Sequence, residues 1–193
     1  MIRPETVIVF VWLAWVVSWF AAAAWTDRTV QRPAAQREFL YRLLSAAGVV
    51  MLFGMYPRRL WRETVLWRAG PGVGWAMVAI AVLGFLFAWW ARIFLGRLWS
   101  STVTRKASHH IVDAGPYSVV RHPIYTGIII STLATAAVRG TTFAFLGAGI
   151  MTVSWYIKAR LEEDFLREQL GAEKYDAYAR RVPMLVPFIR LFQ

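Results

Sequence analysis

The sequence predicts an all-α protein, an integral membrane helical bundle of about five transmembrane helices that ends in a helical hairpin and a polar tail. Three observations carry that prediction: 58% of the 193 residues are hydrophobic, eleven are tryptophan, and the apolar residues gather in five long runs. A soluble surface does not suit such a composition, whereas a bilayer core asks for about 20 apolar residues per helix. No linker or repeat divides the chain, so residues 1–193 read as a single membrane domain, with three helices in 1–95 and the remaining elements in 96–193.

The first run, residues 7–25, carries Trp12, Trp15, Trp19 and Trp25 and is too long and too tryptophan-rich for a cleaved leader. The second, 39–56, has Arg42 one turn inside its start, where a long stem lets the charge reach the headgroups, and Pro57 stops it. The connection 58–74 is basic and closes on GPGVG, whose glycines and proline disfavour regular structure. The third run, 75–95, gathers Trp89, Trp90 and Arg92 towards its exit. The fourth and fifth, 124–138 and 142–157, are separated only by Arg139, Gly140 and Thr141, which forces a tight hairpin. Gly127, Ser131 and Thr135 recur every four residues on one arm and Gly147 and Gly149 lie on the other, so the two backbones are expected to approach closely. The fifth helix then continues out of the membrane as KARLEEDFLREQL, with Arg160 and Asp164, and Glu163 and Arg167, spaced for ion pairing. Gly171 is a helix stop, 172–181 an amphipathic helix, and the segment after Pro183 is expected to lie along the interface.

The net charge of +11 comes from 22 Lys and Arg against 11 Asp and Glu, with the excess in the connections and the tail. In a membrane protein this reads as cytoplasmic basic loops that also meet anionic lipids, and it argues against nucleic acid as a partner. Placing the 97–121 connection and the tail in the cytoplasm puts the N-terminus outside, and leaves the basic 58–68 connection on the outer side. The absence of cysteine excludes disulfides, thiolate metal sites and a cysteine nucleophile. His109, His110 and His122 fall within fourteen residues of one another, but Asp113 is the only nearby carboxylate and no HxxxH or HExxH spacing occurs, so no metal site is assigned. Phosphate-cradling glycine motifs and a GxSxG elbow are also missing.

Polar chemistry concentrates in residues 115–127, GPYSVVRHPIYTG. Pro123 suits the first turn of a helix, and the N–H groups of Ile124 to Gly127 at the positive helix end suit a carboxylate or phosphate, with Arg121 as a further anion donor. An equal reading has Arg121 binding lipid phosphate and Pro123 merely starting a helix. Lys158 and Glu162 lie one turn apart on a face shared with Trp155. They are either an ordinary i to i+4 pair or one wall of a polar pocket at a membrane helix end.

Taken in order, Gly115-Pro116-Tyr117, Arg121-His122-Pro123-Ile124-Tyr125-Thr126-Gly127, the hydrophobic hairpin, Glu162-Glu163 with Leu166 and Gly171, and Tyr175, Tyr178, Val182 and Pro183 closely resemble the isoprenylcysteine carboxyl methyltransferase family. These are integral-membrane enzymes dependent on S-adenosylmethionine and related to the phospholipid N-methyltransferases. The resemblance runs from about residue 96 to 187 and implies a cytosolic cofactor-binding segment within 96–193. By position it implies that His109, His110, Ile111, Val112, Tyr117, His122, Pro123, Ile124, Tyr125 and Glu162 contact S-adenosyl-L-methionine. It also implies catalytic roles for Arg121, Lys158 and Glu162, with Lys158 and Arg121 meeting the substrate. Lysine at 158 replaces the family's arginine, keeping the charge and losing the planar two-toothed grip. The implied activity is methyl transfer at the cytoplasmic face of a bacterial inner membrane to a lipophilic acceptor that enters from the bilayer, a carboxylate of an isoprenoid- or lipid-like molecule. The alternatives are phospholipid N-methylation, an NADPH-dependent membrane reductase of the sterol reductase type, and a non-catalytic membrane binding protein.

Overall fold

Prolines open three of the long helices, because a residue without an N–H loses nothing in the first turn. In the structure, a computed structural model that describes residues 2–22, 29–31, 35–56, 64–96, 105–106 and 111–189, α1 spans Pro4–Ala22 and α3 spans Pro71–Leu95. The GPGVG stretch expected to be irregular is therefore the start of α3, with Gly70 as its cap and the Gly74 amide already donating to the Gly70 carbonyl. Helix α2 is Ala35–Phe53, α4 is Pro123–Arg139, α5 is Thr142–Leu170 and α6 is Ala172–Arg181. Two short strands, β1 (Thr29–Gln31) and β2 (Arg105–Lys106), pair antiparallel and tie the α1–α2 connection to the α3–α4 connection.

The hairpin turn follows from three residues. Gly140 takes the left-handed conformation at φ 63, which glycine adopts without steric strain, and Thr141 caps α5 by accepting from the Ala144 amide at 3.3 Å. Residues 64–67 cover this turn, with the Leu66 amide donating to the Gly140 carbonyl at 2.8 Å and the Thr142 amide to the Thr64 carbonyl at 3.0 Å.

Helix directions follow from the contacts between them. Gly74 lies against Pro4 at one end of the bundle, and at the other Arg92 donates to the carbonyls of Ala22 at 2.9 Å and Gly96 at 2.8 Å, so α1 and α3 run the same way. Trp12 of α1 donates to Thr135 of α4 at 2.9 Å, and Ser131 of α4 donates to the Ala81 carbonyl of α3 at 2.8 Å, so α4 runs opposite to both. Helix α2 pairs antiparallel with α5 through Ser45 and Ser154, 2.6 Å apart, and through the Ser154 hydroxyl, which donates to the Tyr41 carbonyl. One end of the bundle thus collects the exits of α1, α3 and α5 and the starts of α2 and α4.

Small residues set the close approaches, but not between the partners the sequence suggested. A Cβ on Gly127 would run into the Gly84 carbonyl and Ala88 of α3, and one on Gly147 would meet the Leu52 amide at 2.6 Å and the Gly48 carbonyl at 2.7 Å on α2. The ridge on α4 therefore serves α3 and α1, the glycine on α5 serves α2, and Gly149 faces open space. The hairpin arms meet instead at larger side chains.

Large apolar side chains remain exposed on all five long helices, among them Phe10 and Phe20 on α1, Leu43 on α2, Leu83 on α3, Leu133 on α4 and Leu146 on α5. Such a girdle would aggregate in water and identifies lipid as the medium around the bundle. Among the described residues, α1 and α3 are long and apolar enough to cross a bilayer by length and composition; α4 is shorter.

Candidate active site

At the end where α4 begins, residues 115–127 fold as a 3-10 turn, Gly115–Ser118, followed by the first turn of α4. Gly115, at φ 57, lies against the ring of Phe94 where a Cβ would collide, so the turn presses directly on the end of α3. Tyr117 is buried there, its carbonyl accepting from the Tyr178 hydroxyl of α6 at 2.7 Å. Tyr175, Tyr178 and Val182 form a satellite apolar cluster to which Ile111 and Leu166 contribute, while Val112 packs on the main core. Burial pushes the phenols of Tyr117, Tyr175 and Tyr178 far above the ordinary tyrosine range, so they act as neutral hydrogen-bonding groups.

Arg121, expected as an open anion donor, has other partners. Its Nε donates to Glu163 at 2.6 Å, and its Nη1 donates to the carbonyls of Val182 at 2.6 Å and Ala179 at 3.0 Å. Glu163 also lies 3.2 Å from His122 Nε2. Burial alone would raise the Glu163 carboxyl, but the hydrogen bonds and charges of His122 and Arg121 outweigh it and hold the group down at about 2. The i to i+4 pairing of Glu163 with Arg167 does not form: Glu163 turns inward, and Arg167 pairs with Asp176 of α6 at 2.6 Å. A charge facing the core needs a buried partner, and Arg121 supplies one that Arg167 on the outer face cannot.

The anion site expected at the start of α4 is also changed. Residues 183–185 run across it, their carbonyls accepting from the Arg121 amide at 2.8 Å, the His122 amide at 3.1 Å and the Thr126 hydroxyl at 2.6 Å. The Thr126 amide is taken by the His122 carbonyl. The segment after Pro183 thus begins inside the protein, with Met184 buried, and turns apolar side chains outward only at Val186, Phe188 and Ile189.

Beside this clamp lies an aromatic stack. The rings of His122 and Tyr125 are parallel at 5.4 Å, and Tyr125 stacks on Trp155 at 5.0 Å. The Tyr125 hydroxyl donates to Glu162, whose other oxygen lies 3.7 Å from His122 Nδ1. Lys158 is buried with its ammonium 5.2 Å from the Tyr125 ring, 5.4 Å from Trp155 and 5.6 Å from Tyr41, a box of three rings from three helices that stabilises a cation removed from water. Among the described residues, Trp155 Nε1 is buried with no acceptor.

The structure therefore brings Tyr117, Arg121, His122, Pro123, Ile124, Tyr125, Lys158 and Glu162 to one end of the bundle, with Ile111 and Val112 on its flank; His109 and His110 lie outside the described residues. The sequence reading missed Glu38 and Tyr41 of α2 and the clamp role of Glu163. A signal was present: Glu38, Tyr41, Arg42 and Ser45 recur at helical spacing, although Glu38 falls in the connection before the 39–56 run and Arg42 reads as reaching the headgroups, and Ser154, Lys158 and Glu162 form the matching stripe on α5.

Fold and site together define a helical membrane protein with an ionisable, ring-lined site at one end of its bundle. Residues 77–168 match the profile of the isoprenylcysteine carboxyl methyltransferase (ICMT) family, in line with the resemblance carried by the sequence motifs. It is 27% identical over 184 residues to methanethiol S-methyltransferase 1 of Bradyrhizobium diazoefficiens, an alignment covering 86% of this chain and 59% of that protein. It is 26% identical over 114 residues to protein-S-isoprenylcysteine O-methyltransferase B of Arabidopsis thaliana, covering 58% of each. It is 28% identical over 129 residues to the nickel-cobalt-cadmium resistance protein NccN of Alcaligenes xylosoxydans xylosoxydans, covering 62% of this chain and 55% of that one. The chain thus spans somewhat over half the length of these curated relatives.

Proposed function

We propose that the chain is an S-adenosylmethionine-dependent methyltransferase of the membrane that alkylates a lipophilic acceptor held as an anion against Lys158. The observation that carries this reading is the arrangement of the Lys158 ammonium in its ring box beside the Tyr125–Glu162 pair; Tyr125, Trp155, Lys158 and Glu162 all lie inside the region matched by the family. When bound, S-adenosylmethionine supplies an electrophilic methyl on a sulfonium. The residues fit such a group: Glu162 offers a carboxylate to its ammonium or ribose hydroxyls, the faces of His122 and Tyr125 suit a sulfonium, and Trp155 Nε1 is a buried donor in want of an acceptor. Lys158 orients the acceptor's negative atom, and the surrounding rings exclude water that would solvate it. The carboxylate expected from the family resemblance and the thiol named in the methanethiol relatives are both anions at the moment of attack, so Lys158 serves either. Arg121 is a positioning residue in this reading, since its guanidinium holds Glu163 and α6.

Five membrane-crossing helices, an outer N-terminus and a cytoplasmic site complete the proposal, supported by the alternating helix directions and by the basic 97–121 connection at the site end. The acceptor enters from the bilayer.

Calorimetric titration of the purified protein with S-adenosylmethionine, its demethylated product and NADPH tests the cofactor. Saturable binding of the first two and none of the third is expected; binding of NADPH alone overturns the reading in favour of a reductase.

A further inference from the structure

Among the described residues, Glu38 is the one buried carboxylate near the site that neither the motif of α4 and α5 nor the clamp employs. It lies on α2 one turn before Tyr41, whose ring closes the Lys158 box, and its residue exposure is 7%. One carboxylate oxygen accepts from Arg42 on the same helix, and the other is buried with no hydrogen-bond partner among the described residues. A carboxylate oxygen removed from water without a partner is costly, and a protein retains one where a ligand or a proton completes it. The charge of Glu38 reaches both Tyr41 and Lys158. The groups facing this corner are Arg42 and Tyr41 on α2, Lys158 and Glu162 on α5, and Tyr125 on α4.

This corner treats two classes of acceptor differently. A carboxylate arrives already charged and needs no base, so it leaves the unpartnered oxygen of Glu38 without a role. A thiol arrives protonated and must lose that proton before it is a good nucleophile. We infer that the acceptor is a protonated thiol and that Glu38 takes its proton while Lys158 holds the resulting thiolate. The step balances: the S–H bond breaks, its electron pair stays on sulfur as the anion paired to Lys158, and the proton forms an O–H bond on the free oxygen of Glu38, to be lost to water when product leaves. Proton transfer from a thiol to a carboxylate is uphill in water, and the buried ammonium beside the sulfur offsets that difference.

The inference rests on the methyltransferase reading for its purpose, yet its first test needs no cofactor. Purified protein titrated with an alkanethiol should show the ultraviolet absorbance of a thiolate at neutral pH. In Glu38→Gln that band should appear only at a pH about one to two units higher. In turnover with S-adenosylmethionine, Glu38→Gln should lose about 10²-fold against the alkanethiol while retaining its rate with thiophenol, which is largely ionised without help. General damage to the fold would lower both rates alike. Should Glu38→Gln not fold, Glu38→Asp takes its place, with the alkanethiol rate falling more than the thiophenol rate. A bound thiol that stays protonated in the parent protein, an unchanged band in the variant, or equal loss with both acceptors overturns the inference. If S-adenosylmethionine binds and only carboxylates are methylated, the thiol assignment fails and the methyltransferase reading stands. A thiolate band without binding of S-adenosylmethionine sinks the methyltransferase reading instead.

Discussion

Glu163→Gln is expected to destabilise the protein by about 3–5 kcal/mol, the range for breaking one side of a buried ion pair. The substitution keeps shape and removes charge, leaving the Arg121 guanidinium buried beside a neutral amide; Glu163 is only 2% exposed, so water cannot compensate. Because the same guanidinium holds the carbonyls of Ala179 and Val182, loosening it frees the end of α6 and the segment that crosses the start of α4. Unfolding in mixed detergent micelles followed by tryptophan fluorescence measures the stability, and limited proteolysis should cut the C-terminal segment sooner in the variant. The pH dependence has a definite sign. The Glu163 carboxyl lies at about 2 in the folded protein against 4.5 ordinarily, so its contribution is complete above 4.5 and is lost as pH falls towards 2. Glu163→Gln should lack that acid-sensitive component. A variant as stable as its parent, with the same acid profile, contradicts the clamp.

Lys158→Met should do the reverse: it impairs chemistry and spares the fold. The apolar stem still fills the box of Tyr41, Tyr125 and Trp155, and no ammonium has to be kept out of water, so stability should be unchanged or raised. S-adenosylmethionine affinity should change little, because Glu162 and the His122–Tyr125 stack remain. Methyl transfer should fall about 10²–10³-fold, the usual loss when one preorganised partner of a reacting anion is removed. Separate measurements of cofactor affinity by calorimetry and of turnover divide the two effects. Loss of stability with intact turnover would make Lys158 a structural cation.

The helices were legible in the sequence where local rules govern. Arg139, Gly140 and Thr141 specify their turn through a left-handed glycine and a capping threonine, and the amphipathic pattern of 172–181 gives α6 to the residue. The starts of α2 and α3 were read about four residues late, because apolar runs mark burial in lipid and Pro71 can open a helix that its neighbouring glycines obscure. Partner choice was beyond local reading. Gly127 faces α3 rather than α5, and Glu163 pairs with Arg121 forty-two residues away rather than with Arg167 one turn on, since both outcomes depend on which helix faces lie inside. The site divided in the same way. The α4 motif and the Lys158–Glu162 stripe were visible from resemblance and spacing, whereas Tyr41 and Glu38 join the site only through the packing of α2 on α5.

Methyl transfer itself is the most direct measurement. Purified protein reconstituted in lipid vesicles and supplied with methyl-labelled S-adenosylmethionine and an alkanethiol should move label into a volatile thioether, one molecule for each molecule of demethylated cofactor formed, and Lys158→Met should slow it about 10²–10³-fold. A protein that binds S-adenosylmethionine yet transfers no label to the thiol, to a lipophilic carboxylate or to the vesicle lipids contradicts the account.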